Sequence, residues 1–377
     1  MTGRLCGALV ILLFLTGCSA GPPQPAPSSL VIAVDVPANG PQAADGAAVV
    51  DAVKQVLKDE YGGRLEGLPL SIRVYDDSAA GRRDPTQGQL NLRRMAADRR
   101  VLGVIGPLNS DVAEAEIPIA NAAHLAVVSP AASNPCLTRA LPECVISPRE
   151  LRPGGPNDFF RVVPTDDLEP AALVAYATRT LHVTRVAVGS DGQAYGTALA
   201  GGLETALKLA GLTTVTTATL DPGSPAAVES FVAEAQNGGA DAVFFAGRAE
   251  GGACKVRPRV LAKLGTAVPF LGGSGLRGST CLHDAGDSAA GLYSIAAGPG
   301  SIAEQAKTAA RVLLKAVLAA VKAAGGNLPS REEVRFAVSR STEPRFDPAG
   351  DTRDRSFTIL QARVNPGDWV EETQVSV

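Results

Sequence analysis

Apolar residues in this chain fall into short runs, separated by stretches in which they recur every three or four positions. Residues 101–105 (VLGVI) are one such run, the pattern of a strand buried on both faces. Gly106-Pro107 breaks it, residues 111–123 take helical spacing, 125–128 form the next buried run, and Pro130 ends that. Similar runs occur at 30–34, 70–75, 160–163, 185–189, 213–220, 241–246, 268–271 and 356–363, with a last short strand expected at Trp369-Val370. Helical spacing marks 46–58, where Val49, Val50, Val53, Val56 and Leu57 share a face, and also 194–210, 225–236, 252–264, 302–324 and 331–338. This alternation predicts an α/β protein, with parallel sheets covered by helices on both faces. A length of 377 residues suffices for two such lobes. The turns at 108–110 and 131–133 then fall at carboxyl ends of parallel strands beside a helix start. Open α/β sheets bind ligands there, and anionic groups are favoured.

Composition narrows the function. The formal charge is −3 and no basic stripe occurs, which argues against nucleic acid; 4% aromatic residues leave few stacking platforms. His124, His182 and His283 are isolated, without metal-ligand spacing. The chain has no nucleophile elbow or phosphate loop, and the GGSG at 272–275 does not fit a dinucleotide fingerprint. Asp76-Asp77 is expected to end a strand and cap the following turn. The reading is therefore a binder, with no catalytic residues, cofactor or metal.

At the N-terminus, Arg4 precedes an apolar stretch at 6–15 that is too short to span a bilayer. Leu15-Thr16-Gly17-Cys18 resembles a bacterial lipobox. That resemblance implies a signal peptide over 1–17 and a lipid on Cys18. Residues 18–29, rich in Pro and Ser, would be a flexible tether. Four cysteines then remain in an exported chain, and three pairings are possible. The most local, Cys136–Cys144 with Cys254–Cys281, is expected.

GVIGPLNS, a helix and then VVSPAASNP follow one another, with DDSAAGRRDPTQGQLNLRRMAAD upstream. In this order they resemble the solute-binding proteins of branched-chain amino-acid ABC transporters, which have the type I periplasmic-binding fold. The resemblance runs from about Leu30 to the C-terminus. It implies two doubly wound parallel-sheet lobes joined by a three-strand hinge near 162–166, 296–300 and 344–348. Lobe 1 would hold 30–162 and 299–345, and lobe 2 would hold 163–298 and 346–377. The implied function is capture of a small polar solute, an amino acid or organic acid, for delivery to ABC permease subunits. The protein would be an exported monomer, lipid-anchored outside the cytoplasmic membrane or in the periplasm. The alternative is an envelope sensor or regulator with the same fold and no transport role.

The resemblance also implies a cleft. Asn109 and Ser110 lie in the turn that holds a ligand carboxylate, through the Ser110 hydroxyl and amide. Ala131 and Ser133 meet the ligand's polar end through a carbonyl and a hydroxyl. Tyr195 covers the ligand, and Arg248 faces it. Ser274 stands where amino-acid binders place an acid. An ammonium buried without a counter-charge is costly, so Ser274 and Arg248 together predict a solute lacking a free α-amine. Asp76, Asp191 and Glu250 are the acids that would otherwise meet an ammonium.

Overall fold

A computed structural model describes residues 29–142, 144–364 and 367–377. The signal peptide, Cys18 and residues 18–28 of the expected tether lie outside the described residues. The first part of the chain runs β1 (Leu30–Val36), α1 (Ala43–Tyr61), β2 (Arg64–Leu65), β3 (Leu68–Asp76), β4 (Ser78–Ala79), β5 (Arg82–Arg83), α2 (Pro85–Ala97), β6 (Val101–Ile105), α3 (Ser110–Ala122), β7 (Ala126–Ser129) and β8 (Phe159–Arg161). It continues through α4 (Glu169–Arg179), β9 (Arg185–Ser190), α5 (Ala194–Leu209), β10 (Thr213–Thr219), α6 (Pro225–Asn237), β11 (Ala242–Ala246), α7 (Arg257–Leu264), β12 (Phe270–Leu271), α8 (Ser279–Ala285) and β13 (Leu292–Ala297). Then come α9 (Ile302–Ala323), α10 (Arg331–Ser339), β14 (Ser356–Arg363) and β15 (Asp368–Ser376).

These strands form two main sheets, ordered β2-β3-β1-β6-β7-β8 and β10-β9-β11-β12-β13-β14-β15. Strands β3, β1, β6, β7 and β8 are mutually parallel, as are β10, β9, β11, β12 and β13. Buried apolar runs produce this: LVIAVDV, VLGVI and AVFFA are buried at every residue, as a sheet covered on both faces requires. In each sheet the winding reverses direction once, between β1 and β6 and between β9 and β11. Crevices open at the carboxyl ends of strands at such switch points.

Three times the chain passes from one sheet to the other: after β8, after β13, and between α10 and β14. The return through α9 and α10 covers one face of the first sheet. Leu313, Leu314, Val317 and Val321 of α9 join Val34, Ile105 and Val128 in one core. Each such side chain contributes roughly 1.5–3 kcal/mol on burial. Gly103 of β6 allows the close approach, because a Cβ there would meet Leu313 Cδ2 at 2.9 Å. Helices α2 and α3 cover the opposite face with Leu92, Met95, Ala113 and Ile117. A capping box starts α10: Ser330 Oγ accepts from Glu333 N at 3.2 Å, and Ser330 N donates to Glu333 Oε2 at 2.7 Å.

Some elements differ from the sequence reading. Residues 252–264 begin as 3₁₀ turns and become α-helical only from Arg257. The expected strand at 268–271 pairs only through Phe270–Leu271. The last strand is nine residues long, not two. Asp76 does cap the turn after β3, accepting from Ala38 N and Ser78 N at 2.9 Å. Asp77 does not; it is fully buried, with neither carboxyl oxygen partnered among the described residues.

Candidate functional site

The switch point of the first sheet brings together the turns after β1, β6 and β7. Ser129, fully buried at the end of β7, knits two of them. Its Oγ donates to Pro107 O at 2.7 Å and accepts from Ala131 N at 3.2 Å and Ala132 N at 2.9 Å. Asn109 holds the N-cap position of α3, yet its side chain makes no cap hydrogen bond. It exchanges paired bonds with the Gln42 amide, each 3.1 Å long, tying the β6 turn to the β1 turn. Ser110 is thus the first helical residue, not the cap, and its Oγ accepts from Asn134 N at 3.2 Å. The start of this 13-residue helix has no N-cap side-chain bond; Asp111 of its first turn accepts from Val112 N at 3.0 Å, and the remaining N–H groups carry partial positive charge.

Arg161, with no exposed surface, fixes the neighbouring turn. Its Nη1 donates to Ala132 O at 3.1 Å and Asn134 O at 2.7 Å, and its Nε donates to Asp351 Oδ1 at 2.7 Å. The first and third passages between the sheets are thereby joined at the turn that carries Ala131 and Ser133. From there the site crosses to the second sheet, where Asp166 N donates to Ser133 O at 3.0 Å.

On the second sheet, the switch point brings the β9 turn with Tyr195 against the β11 turn with Arg248. Asp191 links them, accepting from Gln193 N at 3.0 Å and Arg248 N at 3.2 Å. The Arg248 guanidinium carbon stands 4.4 Å from the centroid of the Tyr195 ring, a cation–π distance. Tyr195 Oη donates to Glu169 Oε2 at 2.9 Å, accepts from Gly275 N at 3.1 Å, and lies 3.3 Å from Ser274 Oγ. Ser274 N donates to the same Glu169 Oε2 at 3.2 Å. A side chain at Gly273 would strike both Tyr195 Oη and Glu169 Oε2, so glycine is what lets these groups meet. Burial first, and the nearby Asp166 carboxyl second, push the Glu169 carboxyl up to about 8. Burial likewise raises Asp166 and, well above its usual range, the Tyr195 phenol.

The seven residues expected at the cleft thus lie in turns at the carboxyl ends of parallel strands of the two sheets, at or beside their switch points. Direct contacts connect Ser110, Asn134, Ser133 and Asp166, and likewise Glu169, Ser274, Tyr195 and Arg248; between the two groups the Asp166 carboxyl acts on Glu169 by its charge. Sequence reasoning missed Asp166 and Glu169. It sought a counter-charge at Asp76, Asp191 and Glu250, but Asp76 and Asp191 serve backbone amides and Glu250 is exposed. The acid absent at 274 arrives beside Ser274 from the first turn of α4. That removes the ground for expecting a solute without an ammonium. The motif Thr165-Asp166-Asp167-Leu168-Glu169 offered a signal, three acids at a helix start directly after a passage between sheets.

Both cysteine pairs are disulfides, Cys136–Cys144 with Cα atoms 5.4 Å apart and Cys254–Cys281 with 5.2 Å. The first closes a loop carrying Arg139, whose guanidinium grips Asp167 at 2.6 and 3.0 Å. His124 and His182 sit at positive φ in turns. Among the described residues no His, Cys, Asp and Glu group is arranged to hold a metal, and no helix is long and apolar enough to cross a membrane.

A family model described as periplasmic binding protein matches residues 29–330. The Leu/Ile/Val-binding protein homolog 3 of Brucella melitensis is 26% identical over 252 residues, 66% of this chain; the match spans 62% of that protein's length. The Leu/Ile/Val-binding protein BraC3 of Rhizobium johnstonii is 26% identical over 292 residues, 76% of this chain and 72% of that one. Among solved structures, an ABC transporter substrate-binding protein from Desulfitobacterium hafniense in complex with Leu superimposes with a TM-score of 0.68 at 20% identity. It covers 91% of this chain and 100% of its own, and establishes likeness of fold.

Proposed function

The chain belongs to the periplasmic binding protein family, and on that premise we propose that it captures a small polar solute, an amino acid or organic acid, and delivers it to an ABC importer. The supporting observation is the connected polar surface that spans both sheets and crosses at the Ser133–Asp166 contact. Groups from two bodies that converge on one surface can close over a ligand by hinge motion. The bodies are 30–162 with 299–345 and 163–298 with 346–377, hinged near 162–166, 296–300 and 344–348.

In this reading Ser110 and the start of α3 take a carboxylate. The Ala131 carbonyl and Ser133 hydroxyl take the neighbouring polar atoms, and Asn109 holds the turn in place through Gln42. Tyr195 and Arg248 cover the solute from the other side, and Ser274 lines it. The site binds and does not catalyse: its serines accept from or adjoin structural groups, and Glu169 accepts from Tyr195 and Ser274. The protein works outside the cytoplasmic membrane as a monomer without a cofactor, tethered by a lipid on Cys18 after removal of 1–17. Its partners are the permease subunits.

A thermal-shift screen of the mature protein against amino acids, small carboxylates, amides and polyols tests this reading. A solute at 100 times its Kd adds about 2.7 kcal/mol of apparent stability. A screen in which no member shifts the melting temperature contradicts it.

A further inference from the structure

Three polar groups of the site have no hydrogen-bond partner among the described residues. Glu169 Oε1 and Asp166 Oδ1 are shielded from solvent and have no hydrogen-bond partner among the described residues. Carboxyl oxygens left in that state are costly. The third group is the Arg248 guanidinium, which makes no hydrogen bond or ion pair among the described residues. It is nonetheless held in place. Its main-chain N–H is bonded to Asp191, its stem packs where a Cβ on Gly275 would lie 3.2 Å from Arg248 Cγ, and its head rests over Tyr195. Its guanidinium N–H groups make no hydrogen bond among the described residues. They form a planar fork, matched to a carboxylate.

The site therefore presents three charges in sequence. The uncapped start of α3 with Ser110 is positive in character. The Asp166–Glu169 pair is negative once ionised, and Arg248 is positive. A ligand complementary to all three carries an anion, a cation and a second anion. An ammonium supplies three donors and suits two carboxyls that share unpartnered oxygens. A hydrocarbon side chain would instead leave the Arg248 N–H groups desolvated and without an acceptor when the bodies close.

We propose that the captured solute is an amino acid with a second carboxylate: its α-carboxylate on Ser110, its ammonium on Asp166 and Glu169, and its distal carboxylate on Arg248. This deepens the capture reading and rests on it. Asp166, half-buried, contacts the ammonium, while Glu169, behind Tyr195 and Ser274, gains the second charge as the arriving ammonium favours loss of its proton. Arg248 sets the specificity.

Isothermal titration at pH 7 with L-aspartate, L-glutamate and L-2-aminoadipate, beside L-glutamine, L-leucine and glutarate, tests the assignment. One of the three amino dicarboxylates is expected to bind at least tenfold more tightly than glutamine, leucine or glutarate. Arg248→Ala should abolish that preference, and Asp166→Asn should weaken the amino dicarboxylate at least tenfold. Glu169→Gln, closer to the native shape and charge-neutral, should do the same if Asp166→Asn folds poorly. Leucine, glutamine or glutarate binding as tightly as the best amino dicarboxylate overturns the assignment and leaves solute capture standing. So does a preference that survives in Arg248→Ala. Failure of all six ligands also overturns it, and the broader thermal-shift screen then decides whether capture itself fails.

Discussion

Replacing Asp35 with Asn should make the protein more stable, and more so as pH rises. Asp35 lies in β1 with no exposed surface; its Oδ1 accepts from Asn91 Nδ2 at 3.0 Å, and its Oδ2 has no partner among the described residues. Glu116 of α3 and Asp77 are equally buried, and neither has a partnered carboxyl oxygen among the described residues. The charges acting on these three are other carboxylates: Asp35 and Asp77 on Glu116, Asp76 on Asp35, and Asp35, Asp76 and Asp111 on Asp77. Arg83, the neighbouring cation, is committed to Asp111 at 2.8 Å. Burial, the largest cause, raises Asp35 from 3.8 to about 7. Between those values the native state keeps a proton that the unfolded chain has released. Stability therefore falls as pH rises through that window, by about 1.4 kcal/mol per pH unit for each such group. Integrated from pH 5 to pH 8, Asp35 alone costs about 3 kcal/mol. An Asn at 35 keeps the acceptor for Asn91, gives Glu116 an N–H, and does not titrate. Urea unfolding at pH 5 and pH 8 measures the difference. The Asp35→Asn protein should gain about 3 kcal/mol more over wild type at pH 8 than at pH 5. An equal gap at the two pH values would refute a buried, protonated Asp35.

Other consequences follow from the same geometry. Ser129→Ala removes the oxygen that serves Ala131 N and Ala132 N, so chemical denaturation should show a loss of about 1–3 kcal/mol; no loss would mean the turns do not depend on Ser129. Replacing Cys136 and Cys144 together with Ser should lower stability by about 2.5 kcal/mol, and replacing Cys254 and Cys281 by about 3.5 kcal/mol, through loop entropy. Calorimetry of the two double variants checks the order. Gly273→Ala should leave the circular dichroism spectrum unchanged and weaken solute binding at least tenfold, because the new Cβ displaces Tyr195 and Glu169; unaltered affinity would mean their contact is not needed.

The fold was legible where local pattern and burial coincide. Strands β6 and β11 are apolar throughout, and β1 is apolar but for Asp35, because both sheet faces are covered, and α9 shows its buried face as a repeat of Ala, Leu and Val. Legibility failed at the edges and in short pieces. Strand β15, DWVEETQVS, is an edge strand exposed at most positions, most of them polar or charged, so only Trp369-Val370 stood out. Helix α8 has seven residues and no room for a periodic pattern. The site divides the same way. Ser110, Ser133 and Ser274 sit in turns with recognisable neighbours. Glu169 reads locally as an ordinary acid favoured at a helix start. Its role exists only because α4, α5 and the Gly273–Gly275 turn meet in space, which no single stretch of sequence records.

The central claim is that one solute is held by turns from both sheets at once. It is tested most directly by isothermal titration of the best solute from the screen into wild type, Ser110→Ala and Glu169→Gln. The first variant changes only the first sheet's turn, and the second changes only the helix beside the second. Wild type should bind one molecule per chain with a Kd near micromolar, about −8 kcal/mol. Each substitution should weaken that by about 1–3 kcal/mol, with both variants folded. A solute that binds wild type and is indifferent to either substitution would contradict the account, because it would then be held on one side alone or elsewhere.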